Sequence, residues 1–336
     1  MPHEAATTRM DEVDMADLLE TGGESSRYVR DVEVAGSNPV APTLAELLAA
    51  LEGLQPGQTL LVEGLPNHVY HTLPCPSKSI GWDFRYHGPV WFYERHIAHT
   101  RPAFSSAATD LGTLVHAALE LGPTRYRSHL VSVPEEFRTA GGGLSSSKAA
   151  KAWRDEQGPD AIVASEENLA IVEAILSQFF SNAMARDLYE DIWKHELSAF
   201  YRRPDGHLIR CRYDAVTHGG VLLDWKSCRD ARPLESWWRG CLDHGYHYAS
   251  AWYSQIAAAA GLSDQRLTFV ACSTTPSHQV QVCELPESLV AMCEQWITDD
   301  LDEIEARKES GHWLPSGYGE INVLQFPEWA FKGVSR

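Results

Sequence analysis

A chain of 336 residues with 46 acidic against 28 basic side chains, a formal charge of −18, is not a nonspecific nucleic-acid coater, because Lys and Arg on phosphate supply most of such binding. No stretch approaches the roughly 18 consecutive apolar residues of a membrane span, and no basic-then-apolar signal segment opens the chain, so the expected location is the cytoplasm. The length allows one large domain or two, and the seven cysteines, odd in number and without a CxxC pair, read as reduced thiols.

Residues 1–42 have little hydrophobic periodicity, several acids and a Gly/Ser-rich middle. They read as a disordered N-terminal extension, ahead of a single domain over 43–336. LAELLAALEGL gives a short helix stopped at Gln55-Pro56-Gly57. The segment that follows carries a strand and then a helix near Val90 to Ile97. In DLGTLVHAALELG, Leu111, Leu114, Val115, Ala118 and Leu119 form an apolar stripe of helical period, with Asp110 placed to cap it. His116 lies one position beyond the stripe, where an imidazole most often satisfies a core hydrogen bond.

From Gly122 to Ala161 the chain is polar and irregular, and so long a connection is usually functional or mobile. Arg125, Arg127, Lys148, Lys151 and Arg154 are open there to phosphate or to solvent. ASEENLAIVEAILSQFFSNAMARDLY then predicts one long helix, with Ser165, Glu166 and Glu167 suited to its N-terminus.

The central stretch runs from His195 to Arg229, HELSAFYRRPDGHLIRCRYDAVTHGGVLLDWKSCR. Turn signals at Pro204-Asp205-Gly206 and His218-Gly219-Gly220 divide it into a three-strand meander. Alternation along a strand puts Asp224 and Lys226 on one side and Leu223 and Trp225 on the other. Asp214 likewise shares a face with Arg212 and Arg210, opposite Tyr213, Cys211 and Ile209. Unpaired buried charges cost several kcal/mol each, on the order given for desolvated ions, so a divalent cation is the natural partner of these acids. Between Lys194 and Arg239 there are nine Lys/Arg against six Asp/Glu, which predicts a locally basic cleft able to steer DNA. A helix within DARPLESWWRGCLDHGYHYASAWYSQIAAAAGL, the strands RLTFVACST and HQVQVCEL, and a closing acidic helix follow.

Asp214, then Asp224-Trp225-Lys226, with Glu196 on the preceding strand, resembles the PD-(D/E)XK nuclease superfamily, whose signature is an acid on one strand and acid-x-Lys on the next. VYHTLPCPSKS, LGTLVHAALE, HGYHYASAWYSQ, HWLPSGYGE and FPEWA narrow the resemblance to the exonuclease VIII (RecE)-like enzymes of phages and prophages, over roughly Glu63 to Ala330. The resemblance implies an α/β fold with a restriction-endonuclease-like core, a central mixed sheet flanked by helices. It implies a hydrolase, a Mg²⁺- or Mn²⁺-dependent exodeoxyribonuclease that cleaves phosphodiester bonds of linear double-stranded DNA from 5′ to 3′. The 3′ single-stranded overhangs would serve recombination through a single-strand annealing (RecT-like) partner, and a ring-like homo-oligomer is implied as well.

By the same resemblance Glu196, Asp214, Asp224 and Lys226 are catalytic. His116, in the pattern Gly112-x-x-x-His116, together with Glu196, Asp214, Asp224 and the backbone carbonyl of Trp225, would hold the metal. The superfamily's Gln-x-x-x-Tyr helix aligns Tyr253 with the tyrosine but puts Ala249 at the glutamine, leaving Gln255 as candidate support. The alternatives on this scaffold are an endonuclease or nickase and a catalytically impaired DNA-binding module.

Overall fold

The computed structural model describes residues 26–28, 42–101, 107–140, 143–158, 161–231, 234–262 and 266–321. Most of the expected N-terminal extension and the FPEWA segment lie outside the described residues. The first elements are strand β1 (Ser26–Tyr28), helix α1 (Leu44–Glu52) and strand β2 (Thr59–Val62). Glu46 N–H donates to the Thr43 hydroxyl while Thr43 N–H donates to the Glu46 carboxylate, a reciprocal cap that sets where α1 begins. Two helices that the sequence pattern does not predict come next, α2 (Asn67–Thr72) and α3 (Lys78–His87). Helix α3 buries only Gly81 and Phe84, too little apolar period to be legible. A short α4 (Pro89–Phe92) runs into a π turn over Tyr93–Ile97, where the sequence predicts a helix.

Helix α5 (Ala107–Glu120) buries the predicted stripe of Leu111, Leu114, Val115, Ala118 and Leu119. It starts earlier than Asp110, which therefore lies inside the helix rather than at its cap. Between 122 and 161 the described residues form more secondary structure than their polarity suggests. Strand β3 (Leu130–Ser132) pairs in parallel with β4 (Ile162–Ala164), and α6 (Lys148–Glu156) lies between them in sequence. The single helix expected beyond is two, α7 (Glu166–Ser181) and α8 (Ala183–Glu190). Asn182 breaks it: its backbone turns to ψ 111° and its side chain accepts the Ala185 N–H, the competition with helical bonding expected of asparagine.

The predicted meander forms the middle of the main sheet as β5 (Ile192–Arg202), β6 (Leu208–Thr217) and β7 (Leu222–Cys228). Helices α9 (Leu234–Asp243) and α10 (Tyr246–Ala259) lead to β8 (Leu267–Ser273), β9 (Val280–Cys283) and the closing helix α11 (Glu287–Ser310). Strand order is β1-β2-β5-β6-β7-β8-β9. Neighbours are antiparallel except β1 with β2 and β7 with β8. The parallel β7–β8 pair needs a long crossover, and α9 and α10 provide it.

Side-chain alternation sorts the sheet's two faces. Leu222, Leu267 and Phe269 pack with Tyr248, Trp252, Ile297 and Leu301 of α10 and α11. Leu223, Trp225 and Val270 pack with Leu114, Val115, Ile175 and Phe179 of α5 and α7. Each such side chain contributes about 1.5–3 kcal/mol when fully buried, and together they clamp the sheet between two helical layers. The chain is thus a mixed α/β protein with a central mixed sheet flanked by helices. All seven cysteines are free thiols. No helix among the described residues is long and apolar enough to cross a membrane.

Four of the meander's five arginines are engaged within the fold. Arg202 donates to the carbonyls of Leu51, Leu54 and Gly206, and Arg203 to Asp205, Gln255 and Thr298. Arg210 donates to Leu73 O, and Arg212 to Ser198 Oγ and Leu65 O. Arg202, Arg210 and Arg212 staple the N-terminal segment to the sheet, and Arg203 ties the β5–β6 turn to α10 and α11. In the 122–161 region Arg127 pairs with Glu173, Arg125 bonds Leu121 O and Arg154 bonds Gly158 O. Lys148 and Lys151 are exposed there.

Candidate metal centre

Strands β6 and β7 pair only through Ala215–Leu223 and Val216–Leu222. Asp214 and Asp224, next in register, stand where the ladder ends and the strands fork. In place of a ladder bond, the Trp225 N–H donates to Asp214 Oδ2 at 2.7 Å. Asp224 accepts from the Lys226 ammonium in a close ion pair. The fork exists because Trp225 is anchored in the α7 face of the core, edge-on to Phe179, while Tyr213 is buried on the α10 face.

Glu196 approaches from β5. The β5–β6 ladder joins His195 to Ala215 and Leu197 to Tyr213, which sets Glu196 opposite Asp214. Its φ is +48°, a left-handed backbone that costs an L-residue about 1–2 kcal/mol. Such strain persists only where surrounding packing enforces it, and here it coincides with convergence of side chains. Ligand atoms of His116, Glu196 and Asp214 all lie within 4.8 Å of one another. Glu196→Gly is expected to be more stable than Glu196→Ala by about 1 kcal/mol, since glycine alone adopts this φ freely. Equal melting temperatures for the two variants would refute the strain.

His116 reaches the group from α5. Gly112, one turn earlier, lets the helix lie close, for a Cβ there would sit 3.1 Å from Ser227 Oγ on β7. His116 Nε2 lies 2.9 Å from the Trp225 carbonyl. A carbonyl only accepts, so Nε2 carries the proton. Burial, helped by the Lys226 cation, holds the imidazole neutral with a pKa of about 4. The Nδ1 lone pair is therefore free, 3.6 Å from Asp214 Oδ2.

The carboxylates do not tolerate full ionisation here. Burial first, and then the charge of Asp224, push Asp214 well above its usual range. Burial works against Asp224 too, but the Lys226 ammonium and a hydrogen bond shared with Asp214 hold it below its ordinary value. Burial and the neighbouring Glu120 raise Glu196 to about 7. Without a cation the acids share protons, as like charges in one site must. A neutral imidazole nitrogen and hard carboxylate oxygens closing on one point form a donor set that fits a small divalent cation. Lys226 stays charged, because Asp224 and Asp214 outweigh the burial that would neutralise it.

The structure thus gathers His116, Glu196, Asp214, Asp224, Lys226 and the Trp225 backbone at one fork. Tyr253 lies beside them: its carbonyl accepts the Tyr213 hydroxyl at 3.0 Å. Burial, followed by the Asp224 charge, raises its phenol far above normal. Ala249, one turn before Tyr253, is buried and brings no polar group. Gln255 is engaged elsewhere. Its Oε1 accepts from Arg203 at 2.6 Å, and it lines a surface hollow with Pro204, Ala258 and Thr298.

Lys78 and Tyr246 join the site without a local sequence signal. Lys78 opens α3 and donates to His244 O at 3.2 Å. Its ammonium and that of Lys226 lie 5.7 and 5.4 Å from the Tyr246 ring centroid. Burial, then repulsion from Lys226, lowers Lys78 to about 8. Its isolated position in VYHTLPCPSKS carries no periodic signal, and its partner is distant in sequence.

No family model and no curated protein matches the sequence. A solved structure described as a candidate exonuclease, from Eubacterium rectale, is similar at 13% identity with a TM-score of 0.51. The match covers 81% of this chain and 98% of that one, and at this identity it is a likeness of fold. The chain therefore shares its mixed α/β fold with that protein, and its candidate metal centre lies at the fork of β6 and β7.

Proposed function

We propose that the chain is a divalent-metal-dependent nuclease of the PD-(D/E)XK type, in the exonuclease VIII-like branch, which hydrolyses linear double-stranded DNA from its ends. One observation carries the reading: Asp214 and Asp224 meet at the strand fork with Lys226 paired to Asp224 and the free nitrogen of His116 turned toward Asp214. His116 Nδ1, Glu196, Asp214 and Asp224 would hold Mg²⁺ or Mn²⁺, with the Trp225 carbonyl at the rim. The metal's contribution when bound is to acidify a water and draw charge from a phosphoryl oxygen.

The chain's own groups do the rest. Asp214 is fixed by the Trp225 N–H, and the imidazole by the Trp225 carbonyl, so both ligands are oriented by one β7 peptide segment. Lys226 supplies a fixed positive charge where negative charge builds on phosphate oxygens. Degradation in the 5′-to-3′ sense, an annealing partner for the 3′ overhangs, and assembly into a ring complete the proposal by resemblance to the exonuclease VIII group.

Purified protein incubated with linear, end-blocked and closed circular duplexes, in Mg²⁺ or in EDTA, tests the reading. Mg²⁺-dependent release of nucleotides from the linear duplex alone is expected. Cutting of the circle would move the assignment to an endonuclease, and no cleavage of any substrate would reject it.

A further inference from the structure

A ribbon of aromatic side chains leads away from the metal centre along α3. Lys78, Trp82 and Tyr86 are spaced at i, i+4 and i+8 on that helix and so share one face. Lys78 shares the Tyr246 ring with the catalytic Lys226. Trp82 lies against the backbone of Gly245, the neighbour of Tyr246: a Cβ at that glycine would overlap the indole. Trp82 stacks on Tyr86 at 5.5 Å and 27°. Tyr86 meets His87 edge-on, and His87 stacks on Trp91 at 4.1 Å and 19°. The Arg101 guanidinium lies 5.4 Å from the Trp91 ring centroid, closing the far end.

Trp82 packs on the core beside Tyr248, but the rings that follow it on α3 are not covered by the core. Tyr86 is 55% exposed, and His87 is exposed beside it. The acids on this face are already matched, Asp83 by His96 at 2.9 Å and Glu94 by Arg101 at 2.6 Å. What remains open to solvent is the run of rings at Tyr86 and His87 beside the half-buried Trp91, with the Lys78 ammonium, bonded to His244 O, at one end and the Glu94-paired Arg101 guanidinium at the other. Planar rings beside cations are the surface that unpaired bases occupy, since every base has a π face and the intervening phosphates need only scattered positive charge. A duplex keeps its base faces closed except at its ends, so along the length of the ribbon an unpaired strand is the form that fits.

We propose that the α3 face from Lys78 through Trp82 and Tyr86 to Trp91 is a track for single-stranded nucleic acid entering or leaving the metal centre. The proposal rests on the nuclease reading, which supplies the unpaired strand: removing one strand of a duplex leaves the other without a partner beside the site. Sequence tolerance is expected, because stacking along the track reads no base edge.

Fluorescence anisotropy of a labelled oligothymidylate, with EDTA present to block hydrolysis, tests it. Tyr86→Ala is expected to weaken binding about fivefold to tenfold, and Tyr86→Phe, which keeps the ring, to bind like the parent. Parental affinity in Tyr86→Ala overturns the track, as does equal weakening in both variants. An abasic oligomer bound as tightly as oligothymidylate would also overturn it, in favour of a purely electrostatic or peptide-binding surface. Mg²⁺-dependent hydrolysis without Tyr86-dependent binding removes the track and leaves the nuclease. Tyr86-dependent binding without hydrolysis removes the nuclease and leaves a single-strand-binding face.

Discussion

Replacing Asp224 with asparagine is expected to slow phosphodiester hydrolysis by about a thousandfold or more, roughly 4 kcal/mol of lost transition-state stabilisation. The side chain keeps its shape but loses the charge that attracts a cation and that pairs with Lys226. The fold should survive, because Asp214 can take over. Its carboxyl is held protonated partly by the Asp224 charge, and once that charge is gone Asp214 can ionise beside the same ammonium. A buried lysine left with no counter-ion would otherwise cost several kcal/mol, about 3–5 for a broken buried pair. Steady-state rates on a linear duplex, read beside thermal melts, separate the two effects. Undiminished hydrolysis in a folded Asp224→Asn protein would sink the site assignment.

Acidification should weaken Mn²⁺ binding by about tenfold per pH unit for each proton the metal must displace. Glu196 titrates near pH 7 because burial and Glu120 disfavour its charge, and Asp214 is displaced in the same direction. Both groups bind protons more tightly in the folded chain than in the unfolded one. The stability they lend is therefore full below their unfolded pKa values and is lost as pH rises through the folded ones. For Glu196 that window runs from its ordinary 4.5 up to about 7. The metal-free protein should accordingly lose stability toward alkaline pH across this interval, and bound Mn²⁺ should restore it. At a free concentration one hundred times the dissociation constant the gain is about 2.7 kcal/mol. Calorimetric titration at pH 6 and pH 8, in buffers of different ionisation enthalpy, reads both the affinity and the protons released. A dissociation constant independent of pH would mean that these carboxyls are not the ligands.

The site residues are marked by a resemblance more than by periodicity. Asp214, Asp224 and Lys226 could be placed on strands because alternation and turn residues are local signals. Nothing local singles out His116 from other helical histidines; the Gly112-x-x-x-His116 pattern did so only by comparison with known enzymes. Gln255, an amide of suitable chemistry six positions beyond Ala249, does not replace the missing glutamine, because Arg203 holds it.

What the sequence alone determined were the elements whose causes lie within a few residues: the meander and its two turns, the α5 stripe, the Ser165 start of α7, and the closing strands and helix. What only the tertiary structure decided were features set by groups far apart in the chain. The fork between β6 and β7 depends on which core layer receives Trp225 and which receives Tyr213. Glu196 is held at its left-handed φ by the sheet around it, and Lys78 meets His244 across 166 positions. Arg202, Arg210 and Arg212, part of the basic stretch in the linear sequence, are bound to carbonyls of the N-terminal segment, because burial of backbone acceptors demands donors wherever they can be found.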